Sequence, residues 1–276
     1  MRIGRIGYIN CAPVYGAIDR GVVALPQGTE LITGTPAELN DLLVAGELDV
    51  SVISAIEYVR HANELTMLPD LAISCDGPVR SVALFSKRPV TELNERTVLL
   101  SASSRTSVAL LRLLCRGEWK INPNFANARA EAQDLDALSG LPHEAVLVIG
   151  DAALSLATRG TYSYRYDLGE EWKRRTGLPF VFAVWAARRA ADPAAVQRGH
   201  RGLLSSRAWG LAHLDELAAA ASEQTGISIA TCREYLGGLD YGLTHNHRAG
   251  LGAFLTELAY NGLLPDVDIS VTMQVA

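Results

Sequence analysis

The stretch that most constrains the chain is Thr97-Val-Leu-Leu-Ser-Ala-Ser-Ser-Arg-Thr-Ser-Val108, where a short apolar run breaks into hydroxyl residues and then becomes leucine-rich through Cys115. Residues 98–100 are too few and too evenly apolar for an amphipathic helix, so they read as a strand covered on both faces, as in a parallel sheet. Ser104 or Thr106 can cap the helix that follows, because a hydroxyl oxygen accepts from first-turn N–H groups that have no carbonyl partner. The other hydroxyls and N–H groups then face the mouth of the loop. A carboxylate or phosphate is favoured there by the donors and by the positive end of the helix dipole, a term of about 0.3–1 kcal/mol near the surface. Arg105 would add a full charge. Capping and turn chemistry alone also accounts for such a cluster, so the surrounding chain has to decide.

Ahead of that stretch, strands and helices alternate. Residues 3–8 read as a first strand running into Ile9-Asn-Cys-Ala-Pro-Val14, where Pro13 suits an early helical position. Asn10 thus stands at the carboxyl end of a strand, the ligand-facing place in an open α/β sheet. Residues 30–33 form a second strand, and Thr35-Pro36 opens an amphipathic helix that puts Leu39, Leu42 and Leu43 on one face. Residues 48–53 form a third strand, followed by Ser54-Ala-Ile-Glu57, a capping-box pattern. Residues 71–74 and 79–86 look like two strands around the turn Asp76-Gly-Pro78, with Ser81 inside the second. Lys87-Arg-Pro89 ends that run in a way suited to a crossing between lobes.

Further strands are expected at 124–127 and 145–149, the latter giving way to a helix at Gly150-Asp-Ala-Ala-Leu154. Asp151 reads as an N-cap or as a side chain aimed at a cleft. Asp167-Leu-Gly-Glu-Glu-Trp172 starts a short helix ended by Gly177-Leu-Pro179, the run Phe180-Val-Phe-Ala-Val-Trp-Ala186 is strand-like, and from Pro193 onward the chain is nearly all helix. Two crossings, near Lys87 and near Ala186, are what a two-lobed Venus-flytrap fold with short hinges requires. The expected lobes are 1–87 with 188–276, and 88–187. Ligands in such a fold lie between the lobes, touched by strand-end loops and helix N-termini of both.

Composition narrows the function. With 276 residues, 20% charged, and a net charge of −5, nothing is basic enough for nonspecific nucleic-acid binding. Cys11, Cys75, Cys115 and Cys232 stand far apart, which argues against a metal site and a disulfide framework. No apolar signal region and no membrane span is apparent, so a cytoplasmic protein is expected. Cys11 has no histidine partner nearby, His245-Asn-His247 lacks a third ligand, Glu57 already has a capping job, and Trp172 and Trp185 suit the core.

Six motifs, in order and over nearly the whole chain, carry a resemblance: Tyr8-Ile-Asn-Cys-Ala-Pro13, Ser54-Ala-Ile-Glu-Tyr58, Gly77-Pro-Val-Arg-Ser-Val82, Ser104-Arg-Thr-Ser-Val108, Ile149-Gly-Asp-Ala-Ala-Leu154 and the long Asp167-Leu-Gly-Glu-Glu-Trp-Lys-Arg-Arg-Thr-Gly-Leu-Pro-Phe-Val-Phe-Ala183. Together the sequence resembles the chorismate dehydratase family of the futalosine menaquinone pathway. The resemblance implies an α/β, two-lobed, periplasmic-binding-protein-like fold of type II with a helical C-terminal segment. It also implies a hydro-lyase that removes water from chorismate to give 3-[(1-carboxyvinyl)oxy]benzoate, with Asn10 and Ser81 as catalytic residues in the substrate site. Neither cofactor nor metal is called for, and the expected partner is the small-molecule substrate, with no nucleic acid or membrane; the oligomeric state, a homodimer among the options, is left open.

Chorismate carries two carboxylates, and losing its ring hydroxyl with a ring proton makes the ring aromatic. The expected substrate-binding residues are Ser54, Arg80, Ser103, Ser104, Arg105, Thr106, Ser107, Gly150 and Asp151, with the helix start at 104–107 holding one carboxylate and Arg80 or Arg105 the second charge. No histidine or lysine stands in these loops. The base is therefore expected to be a carboxylate of the substrate, with Asp151 as the alternative, and positioning supplies much of the rate. The competing readings are a related enzyme of the same pathway, of the 1,4-dihydroxy-6-naphthoate synthase type, a solute-binding protein for small carboxylates, and a ligand-sensing domain.

Overall fold

The strands are short, and in the computed structural model, which describes residues 1–138 and 140–264, ten of them assemble into two five-stranded sheets with helices between most of them. The first half-sheet is built as β1 (Arg2–Ile6), α1 (Ala12–Asp19), β2 (Glu30–Gly34), α2 (Pro36–Ala45), β3 (Val50–Ser54), α3 (Ala55–Arg60) and β4 (Leu65–Cys75). The chain then crosses to β5 (Val82–Ser86), β6 (Thr97–Ser101), α4 (Arg105–Gly117), β7 (Asn124–Ala128), α5 (Leu135–Leu138), β8 (Ala145–Ile149), α6 (Gly150–Arg159) and β9 (Tyr164–Asp167). It returns through α7 (Leu168–Thr176) to β10 (Phe180–Arg188), and α8 (Pro193–Ala212), α9 (Leu214–Thr225), α10 (Ile229–Gly238) and α11 (His245–Tyr260) complete the described part.

The strand orders are β2-β1-β3-β10-β4 and β7-β6-β8-β5-β9. In each sheet the inserted strand, β10 or β5, runs antiparallel to its neighbours while the strands before it are parallel. This corrects two expectations. Residues 71–74 and 79–86 do not form a hairpin around Gly77-Pro78: β4 belongs to the first sheet and β5 to the second. The crossings consequently run through residues 76–81 and 168–179 rather than at Lys87 and Ala186. The reason is burial: every residue of β5 and eight of nine in β10 are buried, which places both strands inside sheets, β10 between β3 and β4 and β5 between β8 and β9.

Each fully buried Leu, Ile, Val or Phe contributes roughly 1.5–3 kcal/mol over its exposed state. One continuous cluster runs from Ile3 through Leu110 and Trp172 to Leu255, so it joins both sheets and the C-terminal helices. Trp172 and Trp185 are fully buried, as expected, and their indole N–H groups donate to Pro179 O at 3.2 Å and Tyr15 Oη at 3.1 Å.

The crossings are tied by one carboxylate. Asp167 caps α7, accepting from Gly169 N and Glu170 N at 3.0 and 3.1 Å, and also accepts from Val79 N and Arg80 N at 3.0 and 2.6 Å. Gly169 permits this approach, since a Cβ there would stand 2.7 Å from Gly77 O.

Candidate active site

Parallel strands carry their following loops to one sheet edge, and an antiparallel strand inserted among them starts at that same edge. The ends of β1, β3 and β8, the starts of β5 and α4, and Phe182 and Ala183 of β10 therefore converge between the lobes. They line a cavity with about 540 Å³ of free space, its mouth included. Its polar groups are Tyr8, Asn10, Ser54, Ser81, Ser104 and Ser107, with Gly150 supplying backbone; the remainder is apolar, including Ile6, Val79, Ile149 and Phe182. Tyr8 is the only titratable side chain among these described lining residues.

Asn10 follows β1 in a single tight turn, residues 9–11, that leads directly into α1. Its Oδ1 is buried without a hydrogen-bond partner among the described residues, and of the orphaned side-chain atoms it alone belongs to a cavity-lining residue. A buried acceptor left unmade costs about 1–3 kcal/mol, so this atom is suited to a ligand's donor. Ser81 lines the same cavity from the crossing segment, one residue ahead of β5 rather than inside it. Its backbone is fixed by Gly150 N donating to Ser81 O at 2.7 Å, and its hydroxyl receives Tyr235 Oη–H at 2.8 Å.

Ser104 is the N-cap of α4. Its Oγ accepts from Ser107 N at 3.2 Å and donates to Ser107 Oγ at 2.8 Å. The capping and ligand-facing readings of this cluster thus fall on the same residues. At α6 the N-cap is Ile149, with no side-chain hydrogen bond, and the Gly150 N–H is given to Ser81 O. Gly150 is required twice over: its φ is +63°, and a Cβ would meet the Tyr8 ring at 2.9 Å.

Five expected substrate contacts lie outside the cavity lining. Arg80, with φ +66°, turns its guanidinium outward to Glu234 at 2.6 Å. Arg105 reaches across to Asp41 at 2.9 Å and to Glu57. Glu57, almost wholly buried, takes Arg60 and Arg105 instead of closing a capping box with Ser54, whose own backbone N–H is held by Asn40 Oδ1 at 3.1 Å. Thr106 Oγ1 accepts from Ile56 N at 3.2 Å, so it caps α3 from the other lobe. Ser103 donates to Glu131. Asp151 neither caps α6 nor lines the cavity; its carboxylate accepts from Ile9 N at 3.2 and 3.3 Å. Burial, partly opposed by that N–H and reinforced by Glu131, pushes the Asp151 carboxyl up to about 7.

Three participants escaped sequence reasoning. Tyr8 donates to both oxygens of Glu131 at 3.0 and 2.9 Å, and burial, then the Glu131 carboxylate, raise its phenol far above the ordinary range. Tyr8 and Glu131 follow the ends of β1 and β7, so the strand-end rule that found Asn10 could have found both. Tyr235 lies in α10 and had no local signal. Cys11 is buried, and burial pushes its thiol up to about 12, which leaves it a core residue rather than a nucleophile. His247 receives Thr244 N at 3.1 Å on Nδ1 and completes a capping box with Thr244, the N-cap of α11, so His245 and His247 belong to a helix start. No group of three or more His, Cys, Asp and Glu suited to a metal occurs among the described residues. Nor is any helix there long and apolar enough to cross a membrane.

The geometry can be set beside known proteins. A solved protein of Archaeoglobus fulgidus superposes with a TM-score of 0.80 at 18% identity, covering 95% of this chain and 98% of its own. The alkanesulfonate-binding protein of Xanthomonas axonopodis pv. citri, bound to MOPS, gives 0.72 at 15% identity, covering 100% and 98%. At these identities the likeness is one of fold, that of the periplasmic binding proteins. A chorismate dehydratase of Thermus thermophilus is 35% identical over 273 residues, which is 93% of this chain and 94% of the relative. Residues 1–260 match the family described as menaquinone biosynthesis. With a family match across both sheets and a relative of this identity over nearly its full length, the chain belongs to the menaquinone biosynthesis family.

Proposed function

We propose that this protein is a chorismate dehydratase of menaquinone biosynthesis, a hydro-lyase that holds chorismate between its lobes. The observation that carries the reading is the pairing, in one cavity, of an unpartnered acceptor at Asn10 Oδ1 with the Ser81 hydroxyl, without a basic side chain beside them. A ring hydroxyl placed between them can donate to Asn10 and accept from Ser81, which orients it for departure. The first turn of α4 offers N–H groups, and the Ser107 hydroxyl its proton, to a carboxylate.

Asp151 is spoken for by Ile9 and does not line the cavity. A carboxylate of the substrate therefore takes the ring proton. The C–O bond breaks as the electron pair of the C–H bond enters the ring, and the departing hydroxide recovers that proton as water. Substrate and product carry the same charge, so no net proton is taken from the protein. The chain's contribution is orientation, in an environment of low polarity where hydrogen bonds to the developing hydroxide count for more than in water.

The test is to incubate the purified protein with chorismate and follow the small molecules by mass spectrometry. A product lighter by one water, with a benzoate absorption spectrum, is expected. Unchanged chorismate that nonetheless binds tightly by calorimetry would make this a binding protein. Asn10→Asp adds a charge facing a dianion and is expected to lower kcat/KM by about a hundredfold or more; full turnover would strip Asn10 of its role at the ring hydroxyl.

A further inference from the structure

The crossing segment and the C-terminal helices meet through two consecutive residues on each side. Arg80 Nη2 pairs with Glu234 Oε1 at 2.6 Å, and Tyr235 Oη donates to Ser81 Oγ at 2.8 Å. The two contacts differ in kind. The ion pair is on the surface, with side chains 40% and 63% exposed, whereas Tyr235 is buried, at 1% exposure, and Ser81 nearly so, at 3%.

A serine hydroxyl has one proton to give and two lone pairs to fill. With Tyr235 donating to one lone pair, the Ser81 proton must point elsewhere. Its peptide N–H is already given to Val79 O at 2.8 Å and its carbonyl to Gly150 N, so the backbone cannot swing to follow the side chain. The free direction is the cavity that Ser81 lines. Burial holds the Tyr235 phenol protonated well above its ordinary range, which keeps it a donor.

We infer that Tyr235 is a positioning residue for dehydration: it fixes the Ser81 hydroxyl as a donor toward the departing ring hydroxyl. The inference rests on the dehydratase reading. It also gives the helical tail a function in the site, because α10 delivers this donor and the bridge between Ser74 and Asp240 anchors the chain just beyond it.

The test is a double-mutant cycle on chorismate turnover with Tyr235→Phe, Ser81→Ala and the pair, with Glu234→Gln as a control for loosening of α10. Tyr235→Phe removes one hydroxyl and keeps the ring. It is expected to lower kcat about tenfold, the rate equivalent of one hydrogen bond, with KM within about twofold. Ser81→Ala is expected to fall further, and the pair no further than Ser81→Ala alone, because the tyrosine acts only through the serine. Glu234→Gln is expected to stay within about twofold of wild type, as suits a surface pair. Losses that add in the double variant, or an unaffected Tyr235→Phe in an enzyme that is active, overturn the positioning role and leave the dehydratase reading standing. A wild-type protein inert to chorismate overturns both. Circular dichroism and the unfolding midpoint of each variant separate a folding defect from a kinetic one. Should Tyr235→Phe be partly unfolded, the rate per folded molecule decides: a deficit that remains supports the positioning role, and a rate that returns to wild type at lower temperature assigns the residue to the core instead.

Discussion

Two of the places where the lobes touch are made of different materials. At the hinge, one buried carboxylate, Asp167, gathers four backbone N–H groups from both crossing segments. At the mouth, the contacts across the cleft are mostly side chains with titratable or exposed partners: Tyr8 on Glu131, Ile9 N on Asp151, and Arg105 on Asp41 and Glu57. Four backbone donors converging on one buried carboxylate make a firm pivot, because any rotamer change at Asp167 would strand all four at once. Side-chain contacts at a solvent edge can break one by one, and a substrate that enters between the lobes needs that edge to part.

If the hinge is the fixed element, it should show the largest single effect. Asp167→Ala leaves Val79 N, Arg80 N, Gly169 N and Glu170 N without their acceptor and removes the cap of α7. A loss of about 3–5 kcal/mol in urea unfolding is expected, with Asp167→Asn between the two because it keeps one acceptor oxygen. A loss below about 1 kcal/mol would mean that the crossings are held by packing and that the contrast with the mouth is not one of hydrogen bonding.

Asp151 sharpens the same comparison through pH. Its carboxyl is raised from 3.8 to about 7 by burial against the other lobe. At pH below 3.8 both folded and unfolded forms are protonated and burial costs nothing. As pH rises toward 7 the unfolded chain ionises while the folded one keeps its proton, so stability falls through that window and levels off above it. The full effect is at most about 4 kcal/mol, at roughly 1.4 kcal/mol per pKa unit. Asp151→Asn should flatten stability against pH between about 4 and 7 while keeping turnover, since the group faces Ile9 rather than the cavity. Loss of nearly all turnover with binding intact would instead reinstate it as the base.

The same contrast explains what the sequence could tell. Alternating apolar packets and caps made most elements legible, and the strand-end rule placed Asn10, Ser54, Ser104, Ser107 and Gly150 on one cavity. The strand memberships of β5 and β10 were not legible, because an apolar run that joins its own lobe looks the same as one that crosses to the other. Arg80, Ser103, Arg105, Thr106 and Asp151 lie outside the cavity lining for a related reason. They sit in the right loops, but each has found a partner far away in sequence, from Glu234 to Ile9, and local spacing carries no information about such a partner. Tyr235 is a case of the same kind, separated from Ser81 by 154 positions, as Glu234 is from Arg80.

The smallest effect expected is at the outermost mouth contact. Arg105 holds Asp41 at 2.9 Å with side chains 37% and 68% exposed, a pair of the kind that contributes between nothing and about 1 kcal/mol and fades with salt. The other arm of the same guanidinium meets Glu57, whose side chain is 4% exposed and depends on Arg60 and Arg105 together. Asp41→Ala should therefore shift urea unfolding by less than about 0.5 kcal/mol, and less still at high salt. It leaves Glu57 paired and the mouth contact otherwise whole. A loss above about 1 kcal/mol that survives high salt would place Asp41 among the anchors of the mouth, and the difference between the two ends of the cleft would then be one of degree.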